Sequence, residues 1–392
     1  MIRRSRVPLS ALSLALMLTA CGGGASKPSG DAGGGGDKPT DTSFHYKVID
    51  DGNSAFHDGD ALDEGERDRS GQYVGLYANG DIAWLDARLP HRTFDFGGGD
   101  YSNQCWGVKM NQCVVNFAGR LHREKGMRYR YSLGDVGDHV LPGRIAFDRA
   151  LWVGLMPQGY DKVPTLVVGK RISATNELTV GNYRMLLRQC PKGKCEGSDL
   201  MISIAAEGPH NLSVAKVDLL GGAQQTLIHA GMKLISQARK SPSPFRERWE
   251  LTGANEEPVA DVLAIPLSDG GKALTLGIDD TEAAHAQVSA LGIAVLQQPQ
   301  PISSAGIWRG WSTDGKPGYA RTAMPGETTR VVDDIVPGNT IATSNLHVLP
   351  GGPMLATLST DTGEMFVGLK ELDTVVPDPD EVDPELSPGE LK

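Results

Sequence analysis

From residue 44 onward the chain is patterned for strands. Segments 73–77, 200–205, 212–219 and 354–358 alternate apolar with polar positions, or run through β-branched residues, for about four to eight residues each. Gly, Asp, Asn or Pro separates them, the residues that reverse a chain. A 3.6-residue period shows over 281–295, where Ala284, Val288, Leu291 and Val295 share a face and Asp280 stands ready to cap the start. That stretch predicts a short helix, weakened by Gly292. Residues 224–236 predict a strand, because Leu219-Leu220-Gly221-Gly222 before them looks like a hairpin turn. The expected fold is therefore mainly β: two or three antiparallel units in tandem, meander, barrel-like or sandwich, with one short helix.

The pattern also repeats. Three places open alike, Gly71-Gln72-Tyr73, Gly181-Asn182-Tyr183 and Gly306-Ile307-Trp308. Three close alike, at Trp152-Val153-Gly154-Leu155, Thr275-Leu276-Gly277-Ile278 and Phe366-Val367-Gly368-Leu369. Pairing them in order gives units near 71–155, 181–278 and 306–369, joined by linkers at 156–180 and 279–305. A meander whose last strand pairs with its first has fewer exposed edges, and this is the physical reading of the repeat. As domains the expectation is 44–160, 161–300 and 301–372, followed by a disordered, acidic, proline-rich tail over 373–392.

Ahead of residue 44 the patterning is of another kind. Arg3, Arg4 and Arg6 precede an apolar run, Leu9 to Leu18, about half the length a bilayer span needs. It ends in Leu18-Thr19-Ala20-Cys21, which resembles the lipobox of bacterial lipoproteins. The resemblance implies a signal peptide over 1–20, cleavage before Cys21, lipidation of Cys21 and anchoring to a membrane. Gly22 stands where lipoproteins held at the inner membrane typically carry Asp, which implies the outer membrane. Residues 22–43 are Gly, Ala, Ser, Lys, Pro, Asp and Thr, a flexible tether with a root-mean-square span of ~26 Å.

Charge and cysteine usage narrow the partners. The chain carries −10, and loss of residues 1–20 removes three arginines and leaves −13. An acidic chain repels phosphate backbones, so nucleic acid is not an expected partner. Apart from Cys21 there are Cys105, Cys113, Cys190 and Cys195, an even set suited to disulfides in an exported protein. The local pairings, Cys105 with Cys113 and Cys190 with Cys195, need the least loop closure. A four-cysteine zinc site fits these spacings poorly.

Candidate chemistry is sparse. The sequence has no Gly-x-Ser-x-Gly elbow, no His-Glu-x-x-His helix and no phosphate-cradling glycine loop, and its nine histidines are scattered singly. One Ser-x-x-Lys, Ser213 to Lys216, lies in a strand-like stretch where residues three apart face opposite sides. The acidic run Asp58 to Glu66 lacks EF-hand spacing and reads as a solvated loop. No catalytic residue, cofactor or metal is implied. For binding, Trp308 and Trp311 sit three apart in a strand, one expected inward and one outward as a platform for a sugar or a protein. Tyr101 and Trp106 flank Cys105, where a disulfide would hold an aromatic loop rigid. The expected function is a non-enzymatic module on the outer membrane that binds an envelope protein or glycan. The alternatives are an envelope hydrolase assembled from distant residues and a lipoprotein inhibitor of an incoming toxin or enzyme.

Overall fold

A computed structural model describes residues 64–371 except 99–116, 125–128, 135–142, 158–163, 173–176, 209–210, 225, 238–247, 279–287, 300–301, 303–305, 316, 323–329, 333–339 and 342–345. Cys21 and its flanks, the tether, Tyr101, Cys105, Trp106, Cys113 and the acidic tail lie outside the described residues.

Eight strands form the first barrel: β1 (Gly71–Tyr77), β2 (Ile82–Arg88), β3 (Thr93–Gly98), β4 (Phe117–Arg123), β5 (Arg130–Leu133), β6 (Arg144–Asp148), β7 (Leu151–Met156) and β8 (Thr165–Arg171). Each pairs antiparallel with the next, and β8 returns to β1. A second eight-stranded barrel follows: β9 (Gly181–Pro191), β10 (Glu196–Ala206), β11 (Asn211–Gly222), β12 (Lys233–Ser236), β13 (Trp249–Thr252), β14 (Pro258–Pro266), β15 (Lys272–Ile278) and β16 (Val288–Leu296). The third unit is a seven-stranded sheet: β17 (Gly306–Ser312), β18 (Pro317–Thr322), β19 (Arg330–Val332), β20 (Thr340–Ile341), β21 (Leu346–Gly351), β22 (Met354–Ser359) and β23 (Met365–Lys370). Its last strand pairs with its first, as in the barrels, but β20 and β21 end the sheet as edges among the described residues.

The three units open in one way. Gly71, Gly181 and Gly306 have φ of 142°, 147° and 146°, a region that in practice only glycine enters. Two residues on, Tyr73, Tyr183 and Trp308 are each fully buried. Between glycine and aromatic, the carbonyls of Gln72, Asn182 and Ile307 accept from the amides of Ile172, Gln297 and Glu371 at 2.7, 2.8 and 2.8 Å. These donors follow β8, β16 and β23 directly, so closure has the same register three times. Phe366 to Leu369 lies in β23, the closing strand expected of the third unit, but the barrels close on other strands than expected. Trp152 to Leu155 lies in β7 and Thr275 to Ile278 in β15, each next to last in its barrel. The true closers, β8 and β16, occupy the expected linkers, and β8 carries the first barrel past residue 160.

Burial on two faces explains those corrections. β1, β7 and β8 point Tyr73, Trp152 and Val167 into barrel 1 and Val74, Val153 and Val168 outward, into an apolar core shared with Leu186, Ile293 and Val295 of barrel 2 and Trp311, Met354 and Val367 of the third unit. A strand apolar on both faces loses its alternation and reads as a linker or a helix. The stretch predicted helical includes β16, whose Ala290 and Ala294 face the barrel while Leu291, Ile293 and Val295 face the shared core. The expected strand over 224–236 shrinks to β12, and Leu219 to Gly222 belong to β11 instead of forming a turn.

A helix, α1 (Glu64–Arg69), caps one end of barrel 1. Its Glu66 is buried, accepting from the Tyr131 hydroxyl at 2.8 Å, so this end of the acidic run is not a solvated loop. The Arg69 guanidinium lies 3.6 Å from the centre of the Tyr129 ring, and the Tyr73 hydroxyl donates to the Arg69 carbonyl.

Candidate functional site

Among the described residues, buried side chains line the inside of both barrels. Barrel 1 holds Tyr73, Tyr77, Phe94, Phe96, Tyr131, Phe147 and Trp152, with the Tyr73 and Phe147 rings 5.2 Å apart. Barrel 2 is packed mostly with aliphatic side chains. Beside the β14–β15 turn a pocket of about 210 Å³ is lined by Glu177, Thr179, Tyr183 and Lys272, with apolar neighbours. Substrate pockets run from roughly 300 to 1,000 Å³, so this one is small for an organic ligand. Burial pushes the Tyr183 phenol up to about 12, and its hydroxyl donates to the Thr179 carbonyl at 2.8 Å.

Trp308 and Trp311 do lie on opposite faces of β17, but both are fully buried. Trp311 enters the shared core under the Arg130 guanidinium, 4.6 Å from its ring centre. Trp308 packs with Leu355 and Phe366. The outward platform expected of one indole is therefore absent, because the third sheet is apolar on both faces. Cys190 and Cys195 form a disulfide across the β9–β10 turn. Arg188 of β9 reaches from it to barrel 1, with one amine 3.0 Å from Cys195 Sγ and the other donating to the Ala78 carbonyl at 3.1 Å. Burial pushes that guanidinium's pKa down.

The surface that stands out is the arm formed by β10 and β11. β10 is paired along both edges, with β9 and with β11. β11 has 12 residues, but only Asn211 to Ser213 pair with β12, whose four residues run out. Val214 is taken by Gly231 and Met232. From Ala215 to Gly222 the outer edge of β11 has no partner strand among the described residues. This stretch carries Leu219 at 41 % exposure and Leu220 at 50 %. Register shifts leave Ala215 and Leu220 as extra residues opposite β10, bulges that bend the arm. The bulge at Ala215 also corrects the Ser-x-x-Lys geometry. Ser213 and Lys216 lie opposite Ala205 and Ser203, on one face, but the lysine turns to Asp218 at 2.6 Å.

A charged cluster pins the base of the arm. Asp199 of β10 has its side chain 2 % exposed, and Arg184 of β9 grips both carboxylate oxygens at 3.1 and 2.7 Å. His347 Nδ1, from β21 of the third unit, lies 2.7 Å from the same carboxylate. A carboxylate beside an imidazole is half of a hydrolytic triad. Here the guanidinium engages both oxygens, and the far edge of the ring abuts Gly221, where a Cβ would lie 2.8 Å from His347 Cε1. Ser198, next to Asp199, donates instead to the Ala223 carbonyl at 3.2 Å. The arrangement is that of a buried ion pair fixing the arm's angle. Among the described residues no three His, Cys, Asp or Glu gather as metal ligands.

Sequence reasoning missed the arm because Leu219-Leu220-Gly221-Gly222 resembled a turn. The available signal was two adjacent leucines, which on a strand cannot both face one core. Asp199 and His347 are 148 positions apart and carry no local signature.

No known protein family matches the chain, and no curated protein matches it. Among solved structures it is similar to the crystal structure of a protein of unknown function from the DUF3598 family of Nostoc punctiforme. The identity is 8 %, the match covers 59 % of this chain and 94 % of that one, and the TM-score is 0.19. A likeness at that level carries no argument about fold or function.

Proposed function

We propose that this chain is an exported lipoprotein, anchored through Cys21, that acts as a non-enzymatic interaction module and docks its partner on the β10–β11 arm. The observation that carries the docking surface is the edge of β11 from Ala215 to Gly222, which has no partner strand among the described residues and carries the exposed Leu219 and Leu220. Unpaired strand edges with apolar side chains are where another chain adds to a sheet. The lipobox-like Leu18 to Cys21 supports the anchor, and its glycine-rich tether would hold the arm away from the bilayer.

The test uses the full-length protein in cells. Palmitate label is expected on the wild-type chain and not on Cys21→Ser, which should leave the membrane fraction. A photo-crosslinker at Leu220 is expected to give a protein adduct that Leu219→Asp abolishes while thermal unfolding is unchanged. An unlabelled wild-type chain would refute the anchor, and a Leu220 probe that captures nothing would refute the docking surface.

A further inference from the structure

The free edge of β11 is complementary to itself. We infer that its occupant is a second copy of this chain, added antiparallel across a two-fold axis at Val217. The inference rests on the arm being a docking surface, as proposed above, and names what docks there.

The argument is one of register. In an antiparallel pair centred on one residue, positions equally far on either side face each other across the ladder and share a sheet face. Centred on Val217, Lys216 faces the second copy's aspartate at 218, and Asp218 faces its lysine at 216. Both side chains point away from the barrel, with 66 % and 46 % of their surface exposed. Within one copy they already lie 2.6 Å apart on the strand surface, so each is placed to exchange its partner for the equivalent one across the axis. The next pair out sets Leu219 against Ala215, an exposed leucine over a small residue. A two-fold contact needs a patch that complements itself, which this strand supplies in charge and in side-chain size. The bulges at Ala215 and Leu220 bound the straight stretch Lys216 to Leu219 and bend the edge on either side of it. A strand of ordinary twist fits that bend poorly, whereas a second copy brings a strand bent in the same way.

The discriminating experiment is a charge swap on full-length protein in detergent micelles, read by sedimentation. The wild type is expected to dimerise. Lys216→Asp and Asp218→Lys should each weaken self-association about tenfold, since two cross-strand attractions become repulsions. Mixed one to one, the two variants should pair with each other at near wild-type strength. The in-strand contact within one copy cannot produce that result. A monomeric wild type, or single reversals that dimerise normally, would overturn the inference. The Leu220 crosslinker separates this failure from failure of the docking reading. An adduct between two copies supports the inference. An adduct only to a different protein overturns it and leaves the docking surface standing, and no adduct overturns both.

Discussion

Among the described residues, barrel 1 closes with strands of four to seven residues around eight aromatic side chains, whereas barrel 2 has strands of up to 12 residues and two aromatic side chains in its core. Both barrels close in the same register, so the contents were free to change while the seam was not. At the seam three positions lie side by side. In barrel 1 they are Gly75, Gly169 and Trp152, and in barrel 2 they are Met185, Ala294 and Leu274. In the third unit they are Gly310, Gly368 and Leu355. In barrel 1 the two glycines leave a trough that the Trp152 indole fills, and its nitrogen donates to the Val74 carbonyl at 3.3 Å, whereas in the third unit the Phe366 ring lies against Gly368. Where methionine and alanine supply the volume, a leucine suffices. The register of the seam is kept and its side-chain identities are not.

Removing the indole should have the largest effect. Trp152→Ala should cost ~3–5 kcal/mol in urea unfolding, because the glycines beside it cannot refill the space. A loss below ~1 kcal/mol would mean the trough collapses and the seam is not built on volume. A smaller effect tests the exchange itself. A Cβ on Gly169 would run into the Val74 carbonyl and the Trp152 nitrogen, so Gly169→Ala should cost ~1–3 kcal/mol. Paired with Trp152→Leu, which makes the barrel 1 seam resemble that of barrel 2, the same alanine should cost less than it does alone. Additive losses in that double-mutant cycle would refute the compensation.

Alkali should separate the barrels more gently. Burial raises the phenols of Tyr73, Tyr77 and Tyr131 in barrel 1, and that of Tyr183 in barrel 2 to about 12. A phenol whose folded pKa is raised stabilises the fold fully below its unfolded value near 10, and that stability drains away as pH rises above it. Barrel 1 has three such groups and should be lost first. Phenolate absorbance at 295 nm should therefore grow in step with the loss of circular dichroism. Early phenolate growth with the dichroism intact would contradict the burial.

How much of this was legible follows from how many faces each strand buries. The openings at Gly71, Gly181 and Gly306 were readable because glycine and aromatic stand at a fixed spacing. The β class was readable from strands with one wet face, such as the Leu200–Ala205 stretch. β8 and β16 were not, since both faces are buried and the alternation that marks a strand is gone. Trp308 and Trp311 were assigned to the right strand and to opposite faces. What the sequence does not contain is the packing of the third sheet, which covers both indoles. The disulfide between Cys190 and Cys195 was visible as a short spacing between two cysteines. The pin between Asp199 and His347 was invisible, because nothing local records which strands meet across units.

The apolar wall shared by the three sheets bears on how the chain can be dissected. All of them fall in one compact unit. A cut after Arg171 would strip Val74, Val153 and Val168 of their cover and leave a complete cylinder with a sticky flank. Fragments chosen by counting strands should precipitate, and the smallest soluble piece should be the whole trio.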